Sequence, residues 1–165
     1  MSAALRPVTR DDEPFLIGVY GSTRAEELAL TEWDEAQRAA FVRAQFSAQS
    51  QHYKAHFPEG EHHIILSGDH PVGRLYIAKS EKELRILDIT LLPEHRNAGT
   101  GSAILMEIIS ESKESGVPVH IYVESFNPSL RLFERLGFRQ TDISGIHLLM
   151  EWSADSADVA DKLPT

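Results

Sequence analysis

The residues best placed for chemistry form one run, Leu87-Asp88-Ile89-Thr90-Leu91-Leu92-Pro93-Glu94-His95-Arg96-Asn97-Ala98-Gly99-Thr100-Gly101-Ser102. An apolar strand leads into Arg-x-x-Gly-x-Gly, and a helical stripe of Ile104, Leu105, Ile108 and Ile109 follows at once. Glycines at 99 and 101 remove two Cβ atoms where a ligand could approach the backbone. The amides of Asn97 to Ser102 can then converge at a helix N-terminus. Unpaired N–H groups and the helix dipole both favour an anion there, and a pyrophosphate suits the site. Arg96 can add a charge-assisted hydrogen bond. Two other phosphate motifs fit poorly. A dinucleotide fingerprint would place its third glycine at Ile104, and the Gly-Lys-Ser/Thr of a P-loop does not occur. Alone, the pattern equally describes an ordinary Gly-rich turn between a strand and a helix.

A second segment follows downstream, Asn127-Pro128-Ser129-Leu130-Arg131-Leu132-Phe133-Glu134-Arg135-Leu136-Gly137-Phe138. The two segments, in this order and at this spacing, resemble the GNAT superfamily of N-acetyltransferases. The first is similar to that family's Leu-x-Val-x-Pro-x-x-Arg-Gly-x-Gly-x-Gly block, with Leu91 at the Val position. The second is similar to Asn-x-x-Ala-x-x-Leu-Tyr-x-x-x-Gly-Phe, matched by Asn127, Leu132, Gly137 and Phe138. The resemblance implies an α/β (α+β) fold with a central mixed, mostly antiparallel sheet of six to seven strands flanked by helices. It implies transfer of an acetyl group from acetyl-CoA to the primary amine of a small molecule or peptide. The alternatives are acetylation of a protein N-terminus or lysine, and a non-catalytic acyl-CoA-binding domain. No metal is implied.

On the resemblance, the loop residues Arg96, Asn97, Ala98, Gly99, Thr100, Gly101 and Ser102 hold the pyrophosphate of CoA. The Leu91 N–H polarises the thioester carbonyl, Asn127 contacts the pantetheine arm, and Phe133 stands in the cofactor site. The family often has a Tyr at that place to protonate the leaving thiolate. Phe133 has no proton to give. A lysine-like amine is almost wholly protonated at pH 7, a deficit of roughly 4–5 kcal/mol for the free base. A carboxylate is the usual remedy. Asp88 is the first candidate for this base and Glu124 the second. The plainer alternatives are an Asp88–Arg85 pair and a solvated strand end at Glu124. Tyr122, on the opposite side of its strand from Val123, is a candidate acid or simply a packed ring. Glu26 and Glu27, clustered with Glu32 and Asp34, would attract a cationic acceptor. The same acids would also complement helix dipoles. His52 and His56 share a helical spacing without the Glu of a His-Glu-x-x-His site, and His62 and His63 point to opposite sides of a strand.

The elements that must position these residues are legible in outline. Leu5–Val8 reads as a strand. Thr9-Arg10-Asp11-Asp12 opens a helix through Phe15, Leu16, Val19 and Tyr20 that Gly21-Ser22 interrupts. Thr23-Arg24-Ala25-Glu26 and Thr31-Glu32-Trp33-Asp34 offer two further caps before a stretch free of Gly and Pro from Asp34 to Phe57, with a helical stripe expected at Ala40, Phe41, Ala44 and Ala48. Strands are expected at His62–Leu66, Val72–Ala78 and Leu84–Leu91, as a meander. A helix is expected from Gly101 to a stop at Gly116, then a strand at Val117–Val123. A further helix is capped by Asn127 with Pro128 first. A strand follows Phe138, then a loop at Thr141–Gly145 and a last strand at Ile146–Trp152.

The 165 residues are 42% apolar, enough for one domain with its own core, expected over 1–152. Residues 153–165, mostly Ser, Ala and Asp, are expected to be a flexible tail. Cysteine is absent, which excludes disulfides, Cys-ligated zinc and a thiol nucleophile. The net charge of −9 argues against nucleic acid and anionic membranes as partners. Neither a signal peptide nor a long apolar span is seen, and a cytoplasmic location is expected. A homodimer is compatible with the resemblance.

Overall fold

The computed structural model describes residues 3–155. Among the described residues seven strands and five α-helices follow in the order β1 (Ala3–Pro7), α1 (Glu13–Ser22), α2 (Ala25–Ala29), α3 (Glu35–His56), β2 (Glu61–Ser67), β3 (His70–Lys79), β4 (Leu84–Leu91), α4 (Thr100–Ser115), β5 (Val119–Glu124), α5 (Leu130–Arg135), β6 (Arg139–Ser144) and β7 (His147–Trp152). The strands lie in one sheet in the order β1-β2-β3-β4-β5-β7-β6. It is mixed: β4 and β5 pair in parallel, while β1–β2, β5–β7 and β6–β7 are antiparallel. The expected α/β architecture is therefore present. Contacts divide the chain into two compact units. Among the described residues, one holds 3–76 together with Ile89–Thr100, and the other holds Ile77–Asp88 and 101–155. The expected tail begins where β7 ends, and its residues 156–165 lie outside the described part.

In the first unit the start of α1 is fixed by charge. Arg6 on β1 makes a two-pronged contact with Asp12 at 2.8 and 2.9 Å, and Asp12 also accepts the Thr9 amide at 2.8 Å. The Arg6 guanidinium, and next the Thr9 amide, hold the Asp12 carboxyl well below the usual carboxylate range. The core gathers Leu16, Tyr20, Leu28, Val42, Phe46 and Ile64. Helix α3 corrects an expectation. It buries Val42 and Phe46, whereas Ala40, Ala44 and Ala48 are exposed and Phe41 is half-buried. The true stripe runs Val42, Phe46, Gln49, Tyr53, a helical period disguised by two polar members. Those members have inward partners. Gln49 accepts from Arg74 of β3, whose guanidinium lies 5.7 Å from the Phe46 ring and whose side chain is 1% exposed. Tyr53 meets Tyr76 edge-on at 5.0 Å, and Tyr76 stacks on His62 at 4.4 Å.

In the second unit, α4 buries Ile104, Leu105, Ile108 and Ile109 as expected. It ends at Gly116, whose φ of +78° suits a residue without Cβ and whose amide returns to Ser112 at 2.8 Å. Strand β5 alternates cleanly, with Val119, Ile121 and Val123 buried. The region after Phe138 differs from expectation. Residues 141–144 continue β6, and the turn is only Gly145-Ile146. All six β6 residues are exposed, so no hydrophobic alternation marks the strand. It exists because it pairs with β7, with an irregularity between Gln140 and Asp142, and because Gly145 supplies φ +59° for the turn. Helix α5 also starts later than expected, at Leu130 rather than Pro128.

Candidate active site

The loop between β4 and α4 is built from short-range contacts. Pro93–His95 form one 3-10 turn, with His95 N–H donating to Leu92 O at 2.9 Å and Arg96 N–H to Pro93 O at 3.3 Å. Leu92 N–H reaches back to Val72 O at 2.8 Å. Arg96 Nε donates to Leu91 O at 3.1 Å, which ties the arginine to the end of β4 and leaves its two terminal nitrogens without a protein partner among the described residues.

Two residues of this loop are left-handed, Asn97 at φ +63° and Gly99 at φ +85°. Asn is among the few residues with a side chain that accept this conformation readily. A Cβ on Gly99 would meet nothing within 4 Å, so the backbone angle, not crowding, favours glycine there. Alternation of left-handed and ordinary residues turns successive amides toward a common concavity. Among the described residues, none of the amides from Asn97 to Ser102 is bonded to a protein group. Those of Thr100, Gly101 and Ser102 are also the open donors of the first turn of a 16-residue helix. Arg96 to Gly99 are exposed, so a ligand can reach them. Helix α4 begins at Thr100, one residue before the expected Gly101.

Leu91 closes β4, half-buried. Opposite it is Gly73 of β3, a position the motif segments do not include. A Cβ on Gly73 would come within 2.1 Å of Thr90 O and 3.0 Å of the Leu91 Cα. β3 therefore approaches the end of β4 at a distance only glycine allows. A lone glycine inside an apolar strand was the available signal.

The remaining candidates fall in separate places. Glu26 is exposed on α2, Glu27 meets Arg24 at 3.3 Å, and Asp34 is committed to capping α3. Asp88 is half-buried near the end of β4. Arg85 is bound to Glu83 at 2.7 Å and lies 5.1 Å from the Tyr122 ring. Tyr122 is 46% exposed rather than packed in the core. Glu124 ends β5, and its carboxylate stands 4.0 Å from His147. The side chain of Asn127 accepts the Ser129 amide at 2.8 Å. Phe133 is 3% exposed and packs edge-on against Phe138 at 5.4 Å.

The period of two sorts the two candidate bases. Leu84 and Ile86 pair with Val119 and Ile121, and all four are buried on one face. On that period Asp88 follows them, whereas Glu124 follows His120 and Tyr122 on the other face. The two carboxylates thus do not share a face of β4–β5. The His52 and His56 rings meet tilted, with centroids 4.1 Å apart, and no group of His, Asp or Glu suited to a metal occurs among the described residues.

The mixed sheet flanked by helices is the fold of known acetyltransferases. The model of the acetyltransferase (GNAT) family matches residues 25–138, and the chain belongs to this family. Acetyl-CoA is the family's acyl donor, and the family acts on amine acceptors. No curated protein matches the chain. Solved structures of the same fold do. The PaiA N-acetyltransferase of Thermoplasma acidophilum, in complex with coenzyme A, superposes with a TM-score of 0.69 at 18% identity, covering 93% of this chain and 99% of that one. An acetyltransferase from Thermus thermophilus gives 0.66 at 21% identity, covering 93% and 97%. A GNAT family acetyltransferase from Elizabethkingia anophelis with acetyl-CoA bound gives 0.59 at 15%, covering 92% and 98%. Among the described residues no helix is long and apolar enough to cross a membrane.

Proposed function

We propose that this chain transfers the acetyl group of acetyl-CoA to a primary amine of a small molecule or peptide, in the cytoplasm. One observation carries the reading: six consecutive amides, Asn97 to Ser102, are shaped by two left-handed residues and bonded to no protein group among those described. Such a cradle fits the pyrophosphate of CoA. Arg96, Asn97, Ala98, Gly99, Thr100, Gly101 and Ser102 hold it. The Leu91 N–H faces the thioester carbonyl and favours charge on its oxygen. Asn127 contacts the pantetheine arm through the polar capacity its turn leaves over, and Phe133 supports that turn from within. The thioester supplies an activated acyl group with a tolerable leaving thiolate.

A carboxylate frees the amine of its proton, from Glu124 or Asp88. Glu124 is favoured because it follows Tyr122 on the more exposed face. Glu26 and Glu27 draw the cationic acceptor by charge. The neighbours with coenzyme A or acetyl-CoA bound support the donor, not the acceptor.

A non-catalytic acyl-CoA-binding domain is the second reading, favoured by Phe133, which is buried and has no proton to donate. Release of CoA from acetyl-CoA against a panel of primary amines separates the two. Amine-dependent release supports the transferase. Tight binding of acetyl-CoA with no release on any amine supports the binding domain.

A further inference from the structure

Two histidines in the second unit face carboxylates, and they differ in what is left free. His120 has both ring nitrogens engaged, Nδ1 with Glu83 at 3.1 Å and Nε2 with Glu151 at 2.9 Å. His147 meets only Glu124, Nε2 to Oε1 at 4.0 Å, and its Nδ1 has no protein partner among the described residues. Its side chain is 49% exposed and that of Glu124 31%.

The pairing is fixed by the backbone. Glu124 and His147 are directly opposite in the β5–β7 ladder, and the Ser125 amide closes onto Ile146 O at 2.8 Å just beyond them. Directly opposite residues of an antiparallel pair point to the same face. On its other side His147 stands opposite Ser144 of β6, so no second charged cross-strand partner competes for the ring. Glu124 is further steadied by the Asn127 amide, which donates to its carbonyl at 2.9 Å.

We propose that His147 is a positioning residue for the transfer, passing to solvent the proton that Glu124 takes from the acceptor amine. The inference rests on the transferase reading with Glu124 as base. An ammonium acceptor gives one proton to the Glu124 carboxylate, leaving a free amine and a carboxylic acid. The acid passes that proton to Nε2 of His147 across one water, the 4.0 Å separation being too long for a direct hydrogen bond, which restores the carboxylate. The exposed ring then loses it to water. The amine's electron pair forms the N–C bond to the thioester carbon and the C–S bond breaks. The remaining excess proton on nitrogen leaves with the thiolate as the CoA thiol. No separate acid is needed, in keeping with Phe133.

Two acceptors test this. Butylamine is an ammonium ion at neutral pH, whereas hydroxylamine is already neutral and needs no deprotonation before it attacks. The readout is the ratio of kcat/KM for butylamine to that for hydroxylamine. Glu124→Gln lowers the ratio about a hundredfold. His147→Gln lowers it about tenfold, and the double variant falls no further than Glu124→Gln alone. Imidazole added to His147→Ala restores the ratio. Acetyl-CoA affinity, measured alongside, confirms that each variant is folded. A ratio unmoved in His147→Gln, or single losses that multiply in the double variant, overturns the relay while leaving the transferase intact. An unaltered protein that binds acetyl-CoA yet acetylates neither amine overturns the transferase reading, and the relay with it.

Discussion

The helices α4 and α5 both begin after a turn in a motif segment, and they begin differently. At α5 the side chain of Asn127 accepts the Ser129 amide and the Asn127 carbonyl accepts the Leu130 amide, so the protein uses its own acceptors. At α3 the same holds in a stronger form, since Asp34 and Gln37 exchange two bonds at 2.8 and 2.9 Å. At α4 the amides from Asn97 to Ser102 have no such acceptor among the described residues. The difference teaches where a ligand belongs. A helix start completed from within is structural, whereas one left open, on a loop bent by Asn97 and Gly99, is where the proposed function puts the anion.

The largest break in this contrast comes from filling the open end. Gly101→Trp places a ring in the first turn of α4 and should weaken acetyl-CoA binding about a hundredfold, the scale of losing two charge-assisted bonds. Calorimetry measures the affinity, and a wild-type melting curve shows that the fold survives. Unchanged affinity would sink the cradle. Arg96→Ala should cost about tenfold in the same titration, with the loss shrinking as salt is added. An affinity indifferent to both arginine and salt would mean that Arg96 serves only to tie the loop to Leu91.

At the closed end the expectation reverses. Asp34→Ala removes a cap and should cost about 1 kcal/mol of stability in urea unfolding, while acetyl-CoA affinity stays as it was. A matching loss of affinity would erase the distinction between the two helix starts.

The smallest effect concerns pH and separates the loop from the core. Burial, with Arg74 and His63 adding repulsion, pushes the His62 imidazole down to about 4 from an ordinary 6.5. The folded state therefore prefers the neutral ring. The stability this gives is whole above pH 6.5 and is lost as pH falls from 6.5 toward 4. The loss is of order ~1 kcal/mol or less after allowing for partial exposure. Below that range Asp12 adds a second loss, since its depressed carboxyl stabilises the fold only while ionised. Urea melts at stepped pH check both. His62→Phe should flatten the first step, and an unaltered step would remove His62 as its source.

Several features were legible without coordinates because they are local. The glycines and the arginine of the loop, the apolar stripe of α4, the stop at Gly116 and the strands before Lys79 follow from backbone sterics and short periodicities. The misses have a common cause. β6 is a strand only because β7 lies beside it, as its own residues carry no alternation. The inner face of α3 is hidden in the sequence because Gln49 and Tyr53 belong to it, and their inward partners, Arg74 and Tyr76, come from a distant strand.

Short stretches of sequence sufficed for the Arg96–Ser102 loop and for the order of elements, since a left-handed glycine, a helix start and a run of branched apolar residues are decided within a few residues of chain. Only tertiary structure decided that Arg74 is buried, that Asp88 and Glu124 follow opposite faces, and that Glu124 stands across from His147. Those facts depend on register between distant strands, and a slip of one residue would turn every side chain to the other face.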